Sequence, residues 1–133
     1  MAHILIVDDQ PDVLRALRKI LERAGHVVSE AADGKTALRH FAGRPAEVVI
    51  SDIYMPEMDG IEFLIRVREA FPEARIVAMS GGGHLSKERV LGAASMLGAV
   101  AILNKPFSQE EALEAVRTAM ENPEAMGGGA AGA

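Results

Sequence analysis

The sequence predicts an α/β fold, a doubly wound parallel sheet of five strands with helices on both faces. Three observations predict it. Short apolar runs alternate with segments of helical period along the whole chain. Four of the five runs are almost continuously apolar, as strands covered on both faces must be. The alternation itself implies parallel strands joined by right-handed crossovers. In such sheets the ligand crevice opens outside the carboxyl ends of the strands, where the strand order reverses.

The elements follow in order. Residues 3–7 form the first strand, and its run Ile4-Leu5-Ile6-Val7 ends on the acidic pair Asp8-Asp9. A helix over 12–24 places Val13, Leu14, Leu17, Ile20, Leu21 and Ala24 on one stripe, with Pro11 suited to the first helical position and Gly25 to the stop. The strand over 27–31 is more polar and suits a sheet edge. A short stripe of Ala37, Leu38 and Phe41 marks a helix over 34–42, and Asp33-Gly34 reads as its turn and cap. The strand over 48–51 runs into Asp52. In the helix over 60–71, Ile61, Leu64, Val67, Arg68 and Phe71 recur at helical spacing; Asp59 and Glu62 read as its capping pair, and Pro72 ends it. The strand over 75–79 runs into Ser80. A helix over 86–97 aligns Val90, Leu91, Ala94 and Leu97 ahead of Gly98. The last strand, 100–103, is followed by Asn104 and Lys105. A final helix over 109–121 carries Leu113, Val116 and Met120 and opens on the capping box Ser108–Glu111.

At 133 residues the chain suits one domain with a single core. Residues 1–122 are assigned to that domain and 123–133 to a flexible Gly/Ala-rich tail. The hydrophobic fraction is 49% but the aromatic fraction only 4%, so aliphatic side chains must fill the interior. A net charge of −5 argues against direct nucleic-acid binding. The absence of cysteine excludes a disulfide framework and a thiolate metal site. No apolar stretch reaches the length of a membrane span and the N-terminus lacks a signal-peptide pattern, so a soluble cytoplasmic domain is expected.

Asp8, Asp9, Asp52, Ser80 and Lys105 all leave the same ends of four predicted strands, so parallel pairing brings them to one crevice. Crowded carboxylates repel by on the order of a few kcal/mol per pair in a half-buried site. A hard divalent cation relieves that repulsion, and magnesium prefers such oxygen ligands. The four histidines, His3, His26, His40 and His84, are scattered, which argues against zinc. A lysine ammonium suits a phosphoryl oxygen, a serine hydroxyl donates to another, and a carboxylate at position 52 has the chemistry to become an aspartyl phosphate.

Taken together, Ile4-Leu-Ile-Val-Asp-Asp9, Ser51-Asp-Ile-Tyr-Met-Pro56 with Met58-Asp-Gly60, Ala78-Met-Ser80 and Asn104-Lys-Pro-Phe107 resemble the receiver domain of two-component response regulators over residues 3 to about 121. The resemblance implies a flavodoxin-like (βα)5 fold of strand order 2-1-3-4-5. It implies that Asp52 accepts a phosphoryl group from a phosphohistidine of a histidine kinase or histidine phosphotransfer protein. Asp9, Asp52 and the Tyr54 carbonyl would bind Mg2+, with Asp8 beside them. Lys105 would contact the phosphoryl group ahead of a cis bond to Pro106. Ser80 would move toward that group, rearranging the face built from the 86–97 helix, the last strand and the 109–121 helix. That face would meet an output domain or target protein. The chain would be a switch that promotes its own phosphoryl transfer and dephosphorylation, not an enzyme acting on a separate substrate.

Three positions set the sequence apart. Receivers commonly place an aromatic switch residue three positions before the lysine, where this chain has Ile102, whose β-branch restricts χ1. Gly81-Gly-Gly-His-Leu85 lengthens the loop after Ser80, and that loop is expected to carry the switch signal instead. Tyr54 sits where a side chain would shield the phosphoryl group from water. Arg15, Arg18, Lys19 and Arg23 make the first helix basic, either as a solvated face or as a docking surface for the histidine-bearing partner. Two other functions are weighed. A magnesium-dependent aspartyl phosphatase would place a second Asp two residues after the nucleophile, where this chain has Tyr54. A receiver-like scaffold that binds without phosphorylation has no need of Asp9, Asp52 and Lys105 together.

Overall fold

Strict alternation of side chains along each strand divides the core into two layers, one on each face of the sheet. The computed structural model describes residues 2–53, 60–81, 92 and 95–121. Its strands are β1 (His3–Val7), β2 (Val27–Ala31), β3 (Val48–Asp52), β4 (Arg75–Gly81) and β5 (Ala101–Lys105). All pairs are parallel and the order is β2-β1-β3-β4-β5. Four helices are described from end to end: α1 (Pro11–Arg23), α2 (Gly34–Gly43), α3 (Gly60–Ala70) and α4 (Gln109–Glu121). Residues 92 and 95–97 are also helical.

On one face Ile4, Ile6, Val48, Ile50, Val77, Met79 and Leu103 pack against Leu14, Leu17 and Leu21 of α1 and against Ala112, Val116 and Ala119 of α4. On the other, Leu5, Val7, Val49, Ile53, Ile76 and Ala78 pack against Phe41 of α2 and Phe63, Leu64 and Val67 of α3. The doubly wound fold read from the sequence is therefore the observed one. Val27–Ala31 takes an edge, as its polarity suggests, and β5 takes the other with Ala101 and Ile102 half-buried.

The strands run further than their apolar runs. β3 includes Asp52, β4 continues to Gly81 and β5 to Lys105. The reason is register: Ser80 lies opposite Asn104 and Gly81 opposite Lys105, so the ladder continues where hydrophobicity has stopped. The predicted helix over 86–97 is described only at its end, where Leu97 is buried and Gly98 takes φ +72°. Val90, Leu91 and Ala94 lie outside the described residues, as do Asp59, the 82–85 part of the glycine loop and the 123–133 tail. Pro11 stands at the start of α1 and Gly25 leaves that helix at φ +94°.

The caps follow the expected chemistry. Ser108 N–H donates to Glu111 Oε1 at 2.8 Å, and Glu111 N–H donates to Ser108 Oγ at 3.0 Å. Asp33 Oδ1 accepts the Thr36 N–H at 2.7 Å at the start of α2. Hydrogen bonds from the Thr36 backbone and side chain hold the Asp33 pKa below its ordinary value. A carboxylate favoured in the folded state stabilises above its unfolded pKa and loses that contribution as pH falls through the folded one. Asp33→Ala is expected to cost about 1 kcal/mol near neutral pH, a typical capping contribution. In acid the two proteins should converge. Chemical denaturation at both pH values checks this, and an equal gap at both would deny the cap its charge.

Candidate functional site

Side-chain alternation also places the polar groups at the carboxyl end of the sheet. Asp52 continues the parity of Val48 and Ile50, Asp8 that of Ile4 and Ile6, and Lys105 that of Leu103. All three thus emerge on the α1/α4 side. β1 and β3 are neighbours with Val7 opposite Ser51, so Asp8 and Asp52 leave the sheet at the same height.

Lys105 joins them. Its Nζ lies 2.6 Å from Asp8 Oδ2 and 2.7 Å from Asp52 Oδ2. It also donates to Gln10 Oε1 at 3.3 Å. Asp8 is fully buried and Asp52 is only 6% exposed, whereas Asp9 is exposed. Asp8 Oδ1 accepts the Gln10 N–H at 2.8 Å. Asp8 Oδ2 touches the ammonium off the direction of a good hydrogen bond, leaving this buried oxygen without a directed donor. Ser51 Oγ, also buried, donates to the Asp52 carbonyl at 3.0 Å.

Burial pushes the Asp8 pKa up, and the adjacent Lys105 ammonium and the Gln10 N–H oppose that shift only in part. Burial alone would lower the Lys105 pKa, but its contacts with Asp52 and Asp8 outweigh it, so the net shift is upward and the side chain stays an ammonium. One cation thus faces two carboxylates within contact distance, and a third carboxylate stands beside them. Asp8, Asp9 and Asp52 each offer an oxygen, all within 4.8 Å of one another. The donor set is oxygen only, which fits a hard cation such as magnesium. The buried, undirected Asp8 oxygen is an observation in favour of that fit.

Two glycines set the walls. A Cβ on Gly60, at the start of α3, would fall 1.7 Å from the Asp52 carbonyl oxygen and 2.6 Å from Ile53 Cα. A Cβ on Gly81 would meet Lys105 Cδ at 3.1 Å, so the lysine stem lies across that glycine.

The predicted site residues do not all meet. Asp8, Asp9, Asp52 and Lys105 do. Ser80 shares the parity of Ala78 and is turned to the other side, where its hydroxyl donates to Asn104 Oδ1 at 2.7 Å. Inclusion of Ser80 in the strand explains the difference, because each further strand residue reverses the side-chain direction. Ile102, on the same parity as Asn104, is half-buried against the α2/α3-side core that contains Phe63 and Leu97. The Lys105–Pro106 bond is cis, as the resemblance implied. Tyr54, whose carbonyl and side chain were assigned roles, lies outside the described residues. Part of the basic face of α1 is internally paired: Arg18 meets Glu30 at 2.6 Å and Glu22 at 2.8 Å, and Arg15 meets Asp12 at 3.1 Å.

Sequence reasoning overlooked Gln10, Asn104 and the steric role of Gly60. Gln10 follows an acidic pair at a helix start, a position at which Ser, Thr, Asp or Asn is usual, and that mismatch was the available signal. Gly60 entered only as the first residue of a helix and as part of the Met58-Asp-Gly60 segment, since close backbone approach leaves no mark in one sequence.

A family model of the response regulator receiver domain matches residues 4–117. The chain is 38% identical over 107 residues to a protein-glutamate methylesterase/protein-glutamine glutaminase of Hahella chejuensis, covering 77% of this chain and 30% of that protein. It is 37% identical over 118 residues to the chemotaxis protein CheY of Bacillus subtilis, covering 87% of this chain and 96% of that protein. Among solved structures, chemotaxis protein CheY4 of Vibrio cholerae superposes with a TM-score of 0.80 at 33% identity, covering 88% of this chain and 97% of the other. The chain thus spans under a third of the methylesterase but nearly the whole of the two chemotaxis proteins. No helix among the described residues is long and apolar enough to cross a membrane.

Proposed function

This chain belongs to the response regulator receiver domain family of two-component signalling, and we propose that Asp52 accepts a phosphoryl group from a phosphohistidine of a partner histidine kinase or histidine phosphotransfer protein. The observation that carries the proposal is the single ammonium of Lys105 held between Asp52 and the buried Asp8, with Asp9 alongside. A purely structural ion pair needs one carboxylate per ammonium. Here three carboxylates converge, which leaves room for a second cation and an incoming anion.

A carboxylate oxygen of Asp52 forms the new O–P bond as the N–P bond of the donor breaks. The donor imidazole keeps the electron pair of that bond and takes a proton from water. The reaction asks little covalent chemistry of the protein beyond positioning and charge neutralisation. Lys105 turns from its carboxylate contacts toward a phosphoryl oxygen. Asp8, Asp9 and Asp52 would hold Mg2+, which would supply charge neutralisation at the phosphoryl group. Ser80 reaches the phosphoryl group by giving up Asn104, so release of that hydrogen bond couples the site to β5. Hydrolysis of the acyl phosphate resets the switch.

The signal passes through β5, α4 and the helical residues before β5 to an output domain or target protein. Ile102 occupies the aromatic position on that route without the reach of a ring. A cytoplasmic location belongs to the same proposal. The chain acts neither on nucleic acid directly nor on a small-molecule substrate of its own.

The protein is expected to take up label from acetyl phosphate in the presence of magnesium, and chelation should abolish uptake. Undiminished labelling in excess chelator would remove the metal from the account, and the absence of labelling under any condition would favour a scaffold that signals by binding alone.

A further inference from the structure

Gln10 occupies the N-cap of α1 but does not cap it: its side chain makes no hydrogen bond to the helix. Helix starts favour short oxygen-bearing residues because these reach the free N–H groups of the first turn. A longer amide at this position forgoes that stabilisation. Its backbone does the local work instead, with the carbonyl accepting from Val13 and Leu14 N–H and the N–H donating to Asp8 Oδ1. The side chain is thereby free to reach across the crevice to β5, where Oε1 accepts from Lys105 Nζ. Gln10 itself is exposed, so this contact lies at the solvent mouth of a site whose other two acceptors are buried.

We infer that Gln10 is a positioning residue for Lys105, holding the ammonium toward the mouth of the crevice, where a phosphoryl donor enters. This rests on the reading of Asp52 as phosphoacceptor. Without the amide, both remaining acceptors, Asp8 and Asp52, draw Lys105 inward. The ammonium then has no outward contact to retain as it leaves the carboxylates for the phosphoryl group. With the amide, a weak neutral acceptor keeps one N–H directed outward. The Gly81 backbone lies beneath the lysine stem, which confines the path between the two positions.

Gln10→Ala, Gln10→Ser and Gln10→Glu separate this role from capping. Serine restores a good N-cap and removes the reach to Lys105, so Gln10→Ser should melt higher than Gln10→Ala. Both should nevertheless take label from acetyl phosphate about fivefold more slowly than wild type, the scale of one hydrogen bond. Gln10→Glu, which binds the ammonium tightly and repels an anionic donor, should be slower still. The second readout is the Lys105 Nζ resonance in 15N NMR of the unphosphorylated protein, which should shift in Gln10→Ala and Gln10→Ser alike. An unchanged Nζ resonance overturns the inference whatever the labelling rates, and so do wild-type labelling rates in Gln10→Ala and Gln10→Ser. If wild type itself takes no label, the phosphoacceptor reading fails, and the Nζ resonance still decides whether Gln10 holds Lys105.

Discussion

Lys105→Met is expected to lose about 3 kcal/mol of stability in the presence of chelator, because removal of one partner leaves buried charge uncompensated. The ammonium touches both Asp8 Oδ2 and Asp52 Oδ2. Methionine fills much the same volume along Gly81 without the charge. Asp8 would respond by binding a proton, since its burial already favours the neutral acid. Added magnesium should recover part of the loss, because a divalent cation supplies the missing charge to the same oxygens. Labelling by acetyl phosphate should also slow by about a hundredfold, as when a group that stabilises developing charge is removed. Denaturant unfolding with and without magnesium checks the first part. Wild-type stability in chelator would mean that the three carboxylates are not held against repulsion.

Gly60→Ala is the second large effect. The added methyl would stand 1.7 Å from the Asp52 carbonyl oxygen and 2.6 Å from its carbonyl carbon, both of them backbone atoms that no rotamer change can move aside. Either α3 or the end of β3 must shift, at a cost of about 3 kcal/mol or more for so hard an overlap. The residue displaced is Asp52 itself, so stability and phosphoryl uptake should fall together. Gly43→Ala is the control. Nothing lies within 4 Å of a Cβ at that helical position, and its φ is not in the left-handed region. It should be neutral or stabilising by about 0.5 kcal/mol through reduced freedom of the unfolded chain. Equal stability of Gly60→Ala and Gly43→Ala would refute the packing of α3 against β3 described above.

The strands and helices were legible because apolar runs and helical stripes record burial locally. Strand ends were less so. Ser80 and Lys105 look like loop residues by composition, yet the β4–β5 ladder carries them into the sheet. That extension reverses the direction of Ser80 relative to a simple convergence and places its hydroxyl on Asn104. The acidic pair was legible as a site but not in its internal division: Asp8, not Asp9, is the buried member. Only the parity it shares with Ile4 and Ile6 decides this. Gln10 and Gly60 act through contacts with residues far off in sequence or through backbone approach, and neither leaves a periodic trace.

Asp52 as phosphoacceptor is tested most directly by locating the label. Wild type and Asp52→Asn are incubated with acetyl phosphate and magnesium, and the intact proteins and their peptides are weighed by mass spectrometry. Wild type is expected to gain a single base-labile, hydroxylamine-sensitive phosphoryl group on the peptide containing Asp52, and Asp52→Asn none. Equal gain by Asp52→Asn, or a label mapped to another peptide, would contradict the account.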